Sequence, residues 1–188
     1  MEFNHDVEKC LEVLNQGGLI LYPTDTVWGI GCDATNYEAV KKIYELKQRA
    51  AAKSMIVLLA DERDIIQHVA GTDLSVFDYL DSVQKPTTII YQGAIGLADN
   101  LVNEDGSIAI RIVKEDFCRH LIKRFRKPIV STSANISGEP TPRNYAEITD
   151  TIRQSVDYVV EYRQDDDTIA APSAVVRWDN GEVTVIRP

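Results

Sequence analysis

Four short stretches carry residue types suited to chemistry: YPTDTVWGIG (22–31), KQRAAAK (47–53), SIAIR (107–111) and STSANISG (131–138). In the last of them the apolar run Pro128-Ile129-Val130 gives way to Ser131, Thr132, Ser133, Asn135 and Ser137, so a buried strand empties into a loop of hydroxyls. Gly138 is free to take positive φ, and Pro140 and Pro142 stiffen the exit. Short donors packed this densely close round a guest rich in acceptor oxygens, and phosphate is the obvious one. Pro23-Thr24-Asp25-Thr26 is a second polar loop of the same kind, followed by glycines at 29 and 31 where something approaches the backbone closely. Cations for such a site run out of a helix into a small-residue loop: Lys41, Lys42, Lys47, Arg49 and Lys53. A second basic group, Arg119, Lys123, Arg124, Arg126 and Lys127, recurs at helical spacing beside Phe117, Leu121 and Ile122 and reads as a solvated helix face.

Other chemistries find little support. His68 and His120 fall on predicted helices and His5 lies near the start of the chain, with no Ser-His-Asp or Cys-His arrangement, so a side-chain nucleophile is not expected. Gly29-x-Gly31-x-x-Ala34 has the dinucleotide-binding spacing, but no helix opens inside it and no acidic residue follows about 20 positions on after a second strand. No GxxxxGK[ST] loop occurs, so any nucleotide is held in another way.

The elements that must position these loops alternate irregularly between helix and strand. Asn4 or Asp6 is expected to cap a first helix with Val7, Leu11 and Leu14 inward, stopped by Gly17-Gly18, and Asn36 to cap a second with Val40, Ile43, Tyr44 and Leu46 inward. Strands are predicted at 19–22, 27–32, 55–59, 87–91, 108–113, 129–131, 158–161, 174–178 and 183–187, the last two joined by an Asn180-Gly181 hairpin. Further helices are predicted over 61–69, 73–83, 117–126 and 145–156, with a short helical turn between Gly93 and Gly106. The fold class that follows is α/β, a twisted mixed β-sheet with packed helices.

At 188 residues the chain is expected to be one domain, able to bury about 70% of its unfolded surface without disulfides. Three cysteines (Cys10, Cys32, Cys118), far apart and in no CxxC pair, argue against a disulfide framework or zinc site and for a reduced, cytoplasmic setting. No signal-peptide pattern opens the chain and no apolar stretch reaches the roughly 18 residues of a membrane span. A formal net charge of −9 and a pI near 4.8 disfavour generic attachment to a nucleic-acid backbone, so direct RNA binding is expected to be weak.

Taken together and in this order, YPTDT, KxR and SANxSG resemble the YrdC/Sua family of threonylcarbamoyl-AMP synthases, over residues 11–187, in a short single-domain form. The resemblance implies a twisted α/β sheet with a concave, locally positive cavity, and the joining of L-threonine, bicarbonate and ATP into threonylcarbamoyladenylate with release of pyrophosphate. It implies that Thr26, Arg111, Ser131 and Ser173 attend the amino acid, with Arg111 on its carboxylate. Lys47, Arg49 and Lys53 match the catalytic basic triplet that holds the triphosphate, and Ser107, Ser133, Asn135, Thr141 and Arg187 match ATP-contacting positions, although Asn135 also suits a loop-shaping role. Mg2+ would arrive with the phosphates rather than in an acidic cage, and a downstream transferase complex that modifies tRNA would take the product. The sequence departs from the family pattern at Trp28, Ala50 and Lys53-Ser54-Met55, changes of packing and loop stiffness more than of charge, and at Leu58, where longer relatives carry a histidine. The alternatives are a paralogue with other carbamoyl or nucleotide chemistry and an RNA-binding module that uses the concave face.

Overall fold

The computed structural model describes residues 2–48 and 55–188, so Arg49, Ala50, Lys53 and Ser54 lie outside the described residues. Among the described residues nine strands form one mixed sheet: β1 (Ile20–Tyr22), β2 (Gly29–Gly31), β3 (Ile56–Leu59), β4 (Thr87–Gln92), β5 (Ser107–Ile112), β6 (Ile129–Ser133), β7 (Tyr158–Val159), β8 (Ala174–Asp179) and β9 (Glu182–Arg187). Their order across the sheet is β7-β1-β2-β6-β3-β5-β4-β8-β9. Parallel pairs (β7 with β1, β3 with β5, β4 with β8) are interspersed with antiparallel ones, as expected for a chain whose strands and helices do not alternate strictly.

Register sorts the side chains. Ile56 pairs with both Ala109 and Ser131, Ile90 with Ala109, and Thr88 with both Arg111 and Val175, so these residues share one face of the sheet. The alternate residues Val57, Ile110, Val130, Ile89 and Val176 point the other way and are buried. One face is a continuous apolar core layer, and the other interrupts its apolar residues with Arg111, Thr88 and Ser131. Gly31 is required by this packing: a Cβ there would lie 2.6 Å from both Tyr22 Cε1 and the Val130 carbonyl oxygen, and the Tyr22 hydroxyl donates to that same oxygen at 2.9 Å.

The helices are α1 (Asn4–Asn15), α2 (Tyr37–Leu46), α3 (Ser75–Ser82), α4 (Asp116–Phe125) and α5 (Asp150–Gln154). Asn36 caps α2 as expected, its side chain accepting from the Ala39 amide. At α1 the expected cap fails, because Phe3 occupies that position and Asn4 and Asp6 are already helical. Asp6 instead turns into the core, where it accepts from the Tyr158 hydroxyl at 2.7 Å and the amides of Glu161 (2.9 Å) and Tyr162 (3.0 Å), pinning the segment after β7 to the helix. The helix predicted over 145–156 breaks in two, a 3-10 turn at Tyr145–Glu147 and then α5. The break arises because Ile148 is extended and fully buried, and Thr149 then caps the second piece. Residues Glu62–Gln67 form a 3-10 helix rather than an α-helix, and Asp99–Leu101 supply the short turn expected between Gly93 and Gly106. Asn180 and Gly181 both take positive φ (48° and 90°), as a two-residue hairpin turn demands.

Candidate active site

The sheet face that bears Arg111 opens into a cavity of about 360 Å³. Seven of the sequence-predicted residues line it, Thr26, Arg111, Ser131, Ser133, Thr141, Ser173 and Arg187, although they come from positions spread along most of the chain. Ile56, Ile90, Ala109 and Val175 supply an apolar floor between them.

Arg111 is the electrostatic centre. Its side chain is only 3% exposed, and Nη2 lies 3.1 Å from Asp25 Oδ1 and 3.5 Å from Thr24 Oγ1. The guanidinium Nε is buried and has no hydrogen-bond partner, although a buried charged donor without an acceptor is unfavourable. Asp25 is held on its far side by the Lys114 amide (3.1 Å). The PTDT turn braces itself: Thr24 Oγ1 donates to the Val27 carbonyl (2.8 Å), accepts from the Thr26 amide (3.0 Å) and lies 3.0 Å from Thr26 Oγ1. Thr26 is thereby fixed at the rim with its hydroxyl beside that of Thr24.

On the opposite wall, Ser173 Oγ is 2.8 Å from Thr88 Oγ1, and the Ser173 carbonyl accepts two bonds from Arg187, from Nε at 3.0 Å and Nη2 at 2.8 Å. A fork held on a backbone carbonyl is a positioned cation, suited to phosphate oxygens.

Lys47 and Asn135 form the scaffold of the hydroxyl loop. The Lys47 side chain is buried, and its ammonium donates to the carbonyls of Ser133 (2.5 Å) and Asn135 (2.6 Å), while its own carbonyl accepts from the Ser137 amide (3.0 Å). Asn135 Nδ2 donates to the carbonyls of Ile136 (3.2 Å) and Glu139 (2.8 Å), so its amide faces into its own loop. Ser107 stands apart from the cavity-lining residues, its hydroxyl donating to Asp105 Oδ1 at 2.6 Å and accepting from Asn103 Nδ2 at 2.9 Å. Arg49 and Lys53 fall outside the described residues.

Sequence reasoning missed Asp25 and Thr88. Asp25 lay within the quoted PTDT motif, and an acid beside a predicted anion site was the available signal. Thr88, fully buried in a strand of Thr and Ile, gives no such sign, because its partner Ser173 is 85 residues away. Burial pushes the thiols of Cys10, Cys32 and Cys118 well up from the ordinary cysteine range, and the Tyr22 hydroxyl above the tyrosine range, so none is poised as an anionic nucleophile. Among the described residues no group of three His, Cys, Asp or Glu is arranged to hold a metal ion.

A family model for the Sua5/YciO/YrdC domain, described as "Telomere recombination", matches residues 12–188. The chain belongs to the Sua5/YciO/YrdC family. Curated relatives include the threonylcarbamoyl-AMP synthase of Idiomarina loihiensis, 31% identical over 88% of this chain and 90% of that protein. Another is that of Vibrio campbellii, 34% identical over 71% of this chain and 74% of that protein. Among solved structures the P. abyssi Sua5 complex with L-threonine superposes with a TM-score of 0.86 at 21% identity, covering 98% of this chain, which spans 54% of that longer one. E. coli YciO superposes at 0.83 with 19% identity over 97% of this chain and 88% of its own. These superpositions establish a Sua5/YciO/YrdC fold along nearly the whole chain, including the mixed sheet that carries the cavity.

Proposed function

We propose that the protein is a threonylcarbamoyl-AMP synthase that acts on L-threonine, bicarbonate and ATP. The observation that carries this reading is the buried Arg111 guanidinium in the lining of a hydroxyl-rich cavity that Arg187 also lines. The Arg111 guanidinium would donate to the threonine carboxylate, with Thr26, Ser131 and Ser173 around the rest of the amino acid. Ser133, Thr141 and Arg187 would receive ATP, with Arg49 and Lys53 toward the triphosphate, and Lys47 and Asn135 would act by holding the Ser133 loop in shape.

The chemistry is one of assembly. Threonine's amine adds to CO2 derived from bicarbonate and loses a proton, and a carbamate oxygen then attacks the α-phosphorus as the bond to the leaving pyrophosphate breaks. No covalent enzyme intermediate is needed, in keeping with a site of hydroxyls and cations in which the nearby thiols are held protonated. Mg2+ would accompany the polyphosphate and neutralise part of its charge; Asp25, the carboxylate beside Arg111, is engaged by that guanidinium and by the Lys114 amide. The adenylate would pass to a tRNA-modifying transferase complex in the cytoplasm.

Incubating the protein with ATP, threonine and labelled bicarbonate should release pyrophosphate and form a labelled adenylate that depends on all three. Silence beside an active synthase refutes the assignment. A paralogue would instead turn over with a different acceptor, and an RNA module would show steeply salt-dependent RNA binding.

A further inference from the structure

A second cavity, of about 320 Å³, lies at the other end of β3 and β6 from the candidate active site, bounded by Leu59, Pro128, the 3-10 helix and the C-terminal end of α4. His68, Lys123, Arg126 and Lys127 line it, with Asp64 as the acidic residue among them. Asp64 accepts from Gln67 Nε2 at 3.2 Å, and Lys127 is paired with Asp33 at 2.7 Å.

Two observations make this more than a solvated helix face. The first is pairing. The chain has 29 acidic residues to 20 basic ones, and its exposed cations mostly find a partner, yet among the described residues Lys123 and Arg126 make neither an ion pair nor a side-chain hydrogen bond. His68 lines the same cavity. The second is backbone conformation. Arg126 closes α4 in the left-handed region (φ 59°, ψ 24°), a position that favours glycine. The helix dipole accounts for cations in the last turn of α4, such as Lys123 and Arg124. It gives no reason for a long side chain at a residue whose backbone asks for none.

We propose that this cavity binds a small, multiply charged oxyanion of the phosphate or pyrophosphate class, with Lys123 and Arg126 as its charged donors. The acidic balance of the whole chain opposes a nucleic-acid backbone, whereas a compact anion needs only the local field. The site is separate from the candidate active site and does not depend on the reaction proposed for it.

Inorganic phosphate titrated into the 15N-labelled protein tests this, because amide shifts report the two cavities separately. Saturable shifts are expected at residues 64–68 and 123–127. Arg126→Gly and Lys123→Ala should each weaken that binding about tenfold or more. The melting temperature of Arg126→Gly should stay at or above that of the parent, which separates loss of a ligand from loss of the fold. Shifts confined to residues 109–111 and 131–133, or shifts at the second cavity that survive both substitutions, overturn the proposal.

Discussion

Replacing Arg111 with methionine separates what the guanidinium does for the fold from what it does for a ligand. The side chain is 3% exposed and sits 3.1 Å from Asp25, itself only 10% exposed, so Arg111→Met strands a buried carboxylate. Breaking one side of a buried pair is costly, and because Asp25 keeps its bond from the Lys114 amide, the lower end of the range applies, about 3 kcal/mol. Arg111→Met/Asp25→Asn removes the stranded charge and should recover most of that loss. Threonine affinity behaves differently. Losing a charge-assisted bond to the carboxylate is worth about 1.5–3 kcal/mol, or roughly 10- to 150-fold in Kd, and the second substitution does not restore it. Urea unfolding and calorimetric titration with L-threonine, run on the parent, Arg111→Met and the double variant, give both quantities. If the double variant binds threonine within about twofold of the parent, Arg111 is not the carboxylate anchor and the arrangement proposed here fails.

Lys47→Met should loosen the hydroxyl loop, since two charge-assisted bonds to the Ser133 and Asn135 carbonyls vanish. A destabilisation of about 2–4 kcal/mol, with faster amide exchange at residues 133–139, is expected, and unchanged exchange there would refute the scaffold role. His68 is held below its ordinary histidine range by burial, so the unfolded chain binds a proton that the folded one resists. Its contribution to stability is complete above about pH 6.5 and is lost as pH falls below that value. In phosphate-free buffer the urea midpoint should drop between neutral pH and mildly acidic pH, and His68→Gln should flatten that slope.

Much of this molecule was legible from local chemistry. Asn36 as a cap, Asn180-Gly181 as a hairpin turn, the positions of most strands and the four loop motifs all depend on neighbours within a few residues, where propensity and spacing act directly. The gathering of Thr26, Arg111, Ser133 and Arg187 round one cavity was expected from motif resemblance alone, because no local rule relates residues so far apart. What local chemistry could not show was how polar groups share their partners. Asp6 had every mark of a helix cap, yet Tyr158 and the amides of Glu161 and Tyr162, more than 150 residues away, claim its carboxylate. Lys47 was grouped with the cations expected at the triphosphate, and folding gives its ammonium the carbonyls of Ser133 and Asn135 as partners. The basic run at 119–127 looked uniformly solvated, but the αL turn at Arg126 and a second cavity single out part of it. Residue type says what a side chain is able to bind. Long-range packing brings up one acceptor and withholds another, and a buried charge must take whichever partner the fold presents.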